Sequence, residues 1–247
     1  MLFWIIFFCL VGGVGGVVAA ASVLVLREEL RRSLLPLLLS YATGTLLGAA
    51  FLGLLPESLE RAAPMAVSTT ILAGILLFFL LEKLVIWHHC HAEICEVHGH
   101  PGPLILFGDA LHNFVDGFVI AAAFLTSFPL GVAAALAVFA HEIPQKVSVF
   151  AILLDSGYST RKAFLYNLLT ALVILPGAVF ANAYLEVMQV AVPYVLALSA
   201  ASFMYIAMAD LLPSLHRYVP LAATRRQFLL MLAGIGTIAI FHLNGLG

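Results

Sequence analysis

The 247 residues are 63% hydrophobic and 10% charged, with a formal net charge of −2. Soluble domains average about 45–50% apolar and about 25% charged residues, so composition excludes an ordinary soluble domain. There is no nucleotide-binding glycine loop and no nucleic-acid-binding signature. In chain order, apolar runs fall at 2–26, 34–55, 66–87, 104–128, 131–155, 163–184, 191–212 and 227–243. Each is long enough, at about 1.5 Å per residue, to cross a hydrocarbon core of about 30 Å. Lipid cannot satisfy exposed backbone groups, so all eight are expected to be helices. The first run starts at Met1 without a charged lead or a small-residue cleavage site, and is expected to be a true span rather than a signal peptide. Runs 4 and 5 are joined by a turn around Ser127–Pro129, which makes them an antiparallel hairpin. The expectation is one polytopic domain over 1–247, with a single sizeable hydrophilic loop, HHCHAEICEVHGHPGP, at 88–103.

The distribution of charge orients the chain. Arg27, Arg31, Arg32, Lys83, Arg161, Lys162, Arg217, Arg225 and Arg226 all fall on one side of the membrane if the span count holds. The other side has only Arg61, and Lys146 lies inside a span. By the positive-inside bias, both termini are expected to be extracytoplasmic and the 88–103 loop cytoplasmic. Cys9, Cys90 and Cys95 form no disulfide framework. Run 2 ends FLGLLPESLE and run 7 ends AMADLLPSLHR, a shared Leu-Leu-Pro on opposite faces of the predicted topology. An inverted repeat of spans 1–3 and 6–8 would produce such an echo.

Run 4 contains LHNFVDGFVIAAAF, with Asp109, His112, Asn113 and Asp116 on one helical stripe. Run 5 contains AHEIPQK, with His141/Gln145 and Glu142/Lys146 each one turn apart. Ionisable groups near the bilayer centre cost about 2.5–3.5 kcal/mol each, so they are expected to face an interior site. If the hairpin turns at about residue 129, Asp116 is level with Ile143 and His112 with Val147. Both polar clusters then meet at one height, each about 15–20 Å from its end of the hairpin, near the midplane. Two imidazoles, carboxylates and amide oxygens converging there suit zinc or a similar first-row divalent ion. Pro144 has no N–H, so a kink is expected beside the site. A lone intramembrane His or Asn is commonly an interhelical hydrogen bond; the joint pattern is what points to metal.

HNFVDG followed by HEIPQ resembles the signature pair of the ZIP (Zrt/Irt-like protein) family of divalent-metal transporters, in its histidine-bearing subgroup. SYATGTLLGAAFLGLLPES in span 2 and ASFMYIAMADLLPSLHR in span 7 extend the resemblance over most of the chain. It implies an all-α integral membrane fold of eight transmembrane helices in a 3+2+3 arrangement, with extracytoplasmic termini. It also implies a first metal site on His112, Asp116, His141 and Gln145, and an adjacent second site on Asn113 and Glu142, with Asp116 or Gln145 shared. The chain departs from the family pattern at Gln145, usually His or Glu, and at Lys146, commonly Glu. Span 6 (NLLTALVILPG) lacks a carboxylate that some relatives contribute. Ala49 and Gly53 stand where relatives often place Asp and His.

The reading is a transporter, not an enzyme, that carries Zn²⁺ as substrate, with Fe²⁺, Mn²⁺ or Cd²⁺ as other cargo, into the cytoplasm by alternating access. Lys146 is expected either to pair with Glu142 and stand in for a second metal, or to snorkel toward the cytoplasm. Asp109 is expected to pass the ion toward the loop. There His88, His89, His91, His98 and His100, with Cys90, Cys95 and Glu93, form an adaptable metal binder or a merely solvated segment. Expected partners are the metal ion, the lipid bilayer and a second copy in a homodimer; no nucleic acid is expected. Two alternatives stay open. One is a membrane-embedded zinc hydrolase, since HEIPQ resembles HExxH with Gln145 in place of the second His. The other is a non-transporting, metal-sensing paralogue.

Overall fold

A computed structural model describes residues 1–87, 102–216 and 221–244. The five loop histidines His88, His89, His91, His98 and His100, with Cys90 and Cys95, lie outside the described residues. Eight long helices follow one another: α1 (Leu2–Val25), α2 (Glu28–Arg61), α3 (Pro64–Trp87), α4 (Gly102–Thr126), α5 (Phe128–Asp155), α6 (Thr160–Ala171 continuing as Ile174–Val187), α7 (Gln189–Leu215) and α8 (Leu221–Asn244). Among the described residues there is no strand. The first seven contain stretches long and apolar enough to cross a membrane. The last has 24 residues, about 36 Å at helical rise. The fold is all-α and membrane-spanning.

Local sequence explains where the elements depart from the apolar runs. α2 begins at Glu28 rather than near residue 34, because Glu28 and Glu29 occupy its first turn. Acidic groups are favourable at a helix N-terminus, and Arg32 pairs with Glu28 at 2.5 Å. α6 is interrupted at Leu172 and Val173. Pro176 has no N–H to give the Leu172 carbonyl, which accepts instead from Leu175 N at 3.1 Å. α5, by contrast, runs on through Pro144.

Helix packing follows an exchanged pattern: α2 packs on α8 and α3 on α7, while α1 packs on α5 and α4 on α6. Two of these contacts are backbone against backbone. A Cβ on Gly117 would lie 1.9 Å from the Ile174 carbonyl oxygen, and one on Gly177 2.1 Å from that of Phe114. Gly44 and Gly234 play the same part between α2 and α8, at 2.1 Å from the Met231 oxygen and 2.5 Å from that of Tyr41. Small residues allow such approach where no hydrophobic effect drives helices together. α5 is the central element, touching α1, α2, α4, α6 and α8, and its alanine-rich first half joins Ile120, Phe124 and Phe203 in the main core.

The Leu-Leu-Pro echo has a structural counterpart. α2 widens into a π segment at Ala49–Leu54, directly before Leu55-Pro56, and α7 does so at Ile206–Leu211, directly before Leu212-Pro213. Both segments border the centre of the helix bundle, where Ala49, Ala50, Leu54, Ile206 and Ala207 are buried.

Candidate metal centre

The hairpin of α4 and α5 turns on a single residue, Ser127. Pro129 lies in the first turn of α5, not in the connection, and the Ser127 side chain accepts from Leu130 N at 3.3 Å as the helix cap. The turn therefore sits two residues earlier than the sequence alone suggests. Register shifts accordingly: His112 faces His141 rather than Val147, and Asp109 faces Lys146. The shift brings the two polar stripes into closer opposition than the expected register did.

Four side chains converge. One donor atom each from His112, Asp116, His141 and Glu142 lies within 4.8 Å of all the others. The Nε2 atoms of the two histidines are 3.1 Å apart, and Asp116 Oδ2 is 3.3 Å from each. Glu142 Oε1 is 3.8 Å from His112 Nε2. The Nδ1 of His141 lies 2.9 Å from the Ala137 carbonyl oxygen. That carbonyl can only accept, so it keeps the proton on Nδ1 and leaves the Nε2 lone pair aimed into the centre, the usual orientation of a metal-binding histidine.

The centre is largely buried, and its acceptors lack hydrogen-bond partners. Asp116, His141 and Glu142 are fully buried, while the His112 side chain keeps 19% exposure, so His112 is the least enclosed of the four. Both oxygens of Asp116, both of Glu142 and Oδ1 of Asn113 are buried without a hydrogen-bond partner. Buried polar groups are ordinarily paired, and an orphaned cluster of carboxylate oxygens beside two imidazoles has the chemistry to hold a divalent first-row ion.

The flanking residues form a second network. Lys146 Nζ donates to both oxygens of Asp109 at 2.7 Å and is 3.4 Å from Glu142 Oε2. Thr170 Oγ1 donates to Asp109 Oδ2 at 2.5 Å, and Gln145 Nε2 lies 3.4 Å from Asp109 Oδ1. The Asn113 amide donates to the Asp109 carbonyl at 2.7 Å. The principal partner of Lys146 is thus Asp109, with Glu142 a longer contact, and Lys146 is fully buried rather than snorkelling. Asp109 is occupied by these donors. Thr170 is a member that the sequence does not reveal: span 6 has no carboxylate, yet a hydroxyl there reaches the same network.

A family profile described as "ZIP Zinc transporter" matches residues 88–242. The chain is 34% identical over 233 residues to "Zinc transporter ZIP13" of Pongo abelii, covering 88% of this chain and 70% of that protein.

This chain belongs to the ZIP family.

It is also 38% identical over 141 residues to "Zinc transporter foi" of Drosophila melanogaster, and 42% identical over 112 residues to "Zinc transporter ZIP4" of Homo sapiens. These matches cover 57% and 45% of this chain but only 20% and 17% of those proteins. The chain thus spans about a fifth of the length of several ZIP relatives that it matches. Membership makes it an integral, multi-pass membrane protein. ZIP relatives are named as transporters. In HEIPQ, Gln145 stands where HExxH has its second histidine, and it turns its amide toward Asp109.

Proposed function

We propose that the chain carries divalent metal cations, zinc foremost, across its membrane into the cytoplasm. His112, Asp116, His141 and Glu142 hold the ion, and the Asn113 and Gln145 oxygens are auxiliary donors. Fe²⁺, Mn²⁺ and Cd²⁺ suit the same mixed nitrogen and oxygen set. The observation that carries the reading is the convergence of four donors from two adjacent spans within 4.8 Å, with carboxylate oxygens lacking hydrogen bonds. The names of the ZIP relatives agree with it.

The transport step in this reading is alternating access. All four principal ligands belong to one hairpin joined by one residue, so the ligands travel together and the surrounding helices change which side of the ion is open. The exchanged packing, α2 with α8 as α7 with α3 and α1 with α5 as α6 with α4, supports an inverted repeat of spans 1–3 and 6–8 flanking the hairpin in a 3+2+3 arrangement. On an eight-span topology nine of the eleven Lys and Arg fall on one side, which supports extracytoplasmic termini. Residues 1–247 act as one polytopic unit, possessing in 88–103 a cytoplasmic metal-capturing loop, and a homodimer is the assembly to look for.

The test is zinc flux in proteoliposomes of the purified chain. His112→Ala and His141→Ala are expected to reduce flux at least tenfold; flux unchanged in both would overturn the reading.

A further inference from the structure

The polar network beside the metal centre contains a cation that belongs to the chain. Lys146 is among the largest fully buried side chains. Its Nζ is held by both Asp109 oxygens at 2.7 Å, and its remaining short contact is Glu142 Oε2 at 3.4 Å. Glu142 also faces His112 through Oε1 at 3.8 Å. One carboxylate of the proposed metal centre therefore has an imidazole on one oxygen and an ammonium beside the other. Thr170, from α6, donates to Asp109 Oδ2, so a third helix helps to hold the Asp109 carboxylate.

The charge balance shows what this accomplishes. Asp109, Asp116 and Glu142 supply three negative charges and Lys146 one positive, so with neutral imidazoles the enclosed cluster carries −2. One divalent ion neutralises it. Without the ammonium, −3 would remain in a buried, low-dielectric space where uncompensated charge is strongly unfavourable. Without Asp109, the ammonium would have Glu142 as its one carboxylate and would compete with metal for it.

We propose that Asp109 and Thr170 hold the Lys146 ammonium as a fixed internal cation, in the place a second divalent ion would take, so that the centre loads one divalent ion at a time. This rests on the metal centre proposed above. Asp109 is then a positioning residue for Lys146, not a stepping stone for the travelling ion, because its oxygens are already taken.

The experiment counts Zn²⁺ bound per chain of residues 1–247, purified in detergent and dialysed to equilibrium against Zn²⁺, across a set of variants. The histidines and cysteines of the 88–103 loop are common to all of them, so differences report the centre alone. His112→Ala/His141→Ala is expected to lose one ion relative to wild type. Lys146→Gln is expected to gain one, since Asp109 and Glu142 then face each other without a cation. Asp109→Asn is expected to keep the wild-type number but bind the ion of the centre about tenfold or more weakly, as the pocket falls to −1. Asp109→Asn/Lys146→Gln returns the cluster to −2 without leaving a buried charge unpaired. It is expected to recover affinity to within about threefold of wild type and to gain no ion.

That double variant keeps the proposal testable if either single one fails to fold. A double variant as weak as Asp109→Asn would overturn it, since a merely structural role predicts no rescue. Equal zinc content in Lys146→Gln and wild type would also overturn it, as would loss of two ions in His112→Ala/His141→Ala. If that histidine variant loses none, the metal centre itself fails, and the lysine proposal with it.

Discussion

Asp116 Oδ2 stands 3.3 Å from His112 Nε2 and 3.3 Å from His141 Nε2. A single carboxylate oxygen thereby bridges the imidazoles of two different helices without forming a hydrogen bond to anything else. Asp116→Asn keeps the shape and removes the charge. Loss of even supporting partners around a metal ligand lowers affinity about 10–100-fold, so this variant is expected to weaken zinc binding by about 100-fold or more. Isothermal titration of the purified chain checks it.

Protons compete with metal at the same atoms. Both imidazoles must be neutral at Nε2 and both carboxylates ionised to bind a cation, so binding releases protons and apparent affinity falls as pH is lowered. Titrations at one pH in two buffers of different ionisation heat should therefore give different apparent enthalpies. Identical enthalpies would mean that no proton leaves.

The contact of α4 with α6 is set by glycine. A methyl at Gly117 would collide with the Ile174 carbonyl, whereas one at Gly236 in α8 meets nothing within 4 Å. Overpacking costs about 1–3 kcal/mol, which for a chain of this size lowers Tm by roughly 3–10 °C. Gly117→Ala should show that fall. Gly236→Ala should be neutral or slightly stabilising, since alanine is favoured over glycine within helices by about 1 kcal/mol. Thermal unfolding in one detergent compares the two.

The parts of the molecule that obey periodicity are legible in the chain. Hydropathy locates the helices, and the spacing of Asp109, His112, Asn113 and Asp116 puts them on one stripe. What escapes is the register between helices. Pro129 reads as a turn residue, yet proline is equally at home in the first turn of a helix, and placing the bend there displaces every cross-helix pair. The choice of Asp109 over Glu142 as the main partner of Lys146 depends on that register. One-turn spacing along α5 favours Glu142, and only the position of α4 shows that Asp109 comes closer. Thr170 is out of reach because nothing in span 6 alone indicates which neighbour it meets.

The widened turns in α2 and α7 bear on how these helices tolerate changes in length. A π segment accommodates one surplus residue without rotating the rest of the helix, whereas an insertion in regular helix turns all later side chains by about 100°. In α2 the segment lies between two fixed points, Gly44 against Met231 and the Ser58 hydroxyl on the Pro193 carbonyl at 2.7 Å. Deleting Leu52 should close the wide turn into ordinary helix with both anchors still engaged, while deleting Leu46 would swing one of them away. The bulge is the place along this helix where the chain can lose a residue and keep its bearings.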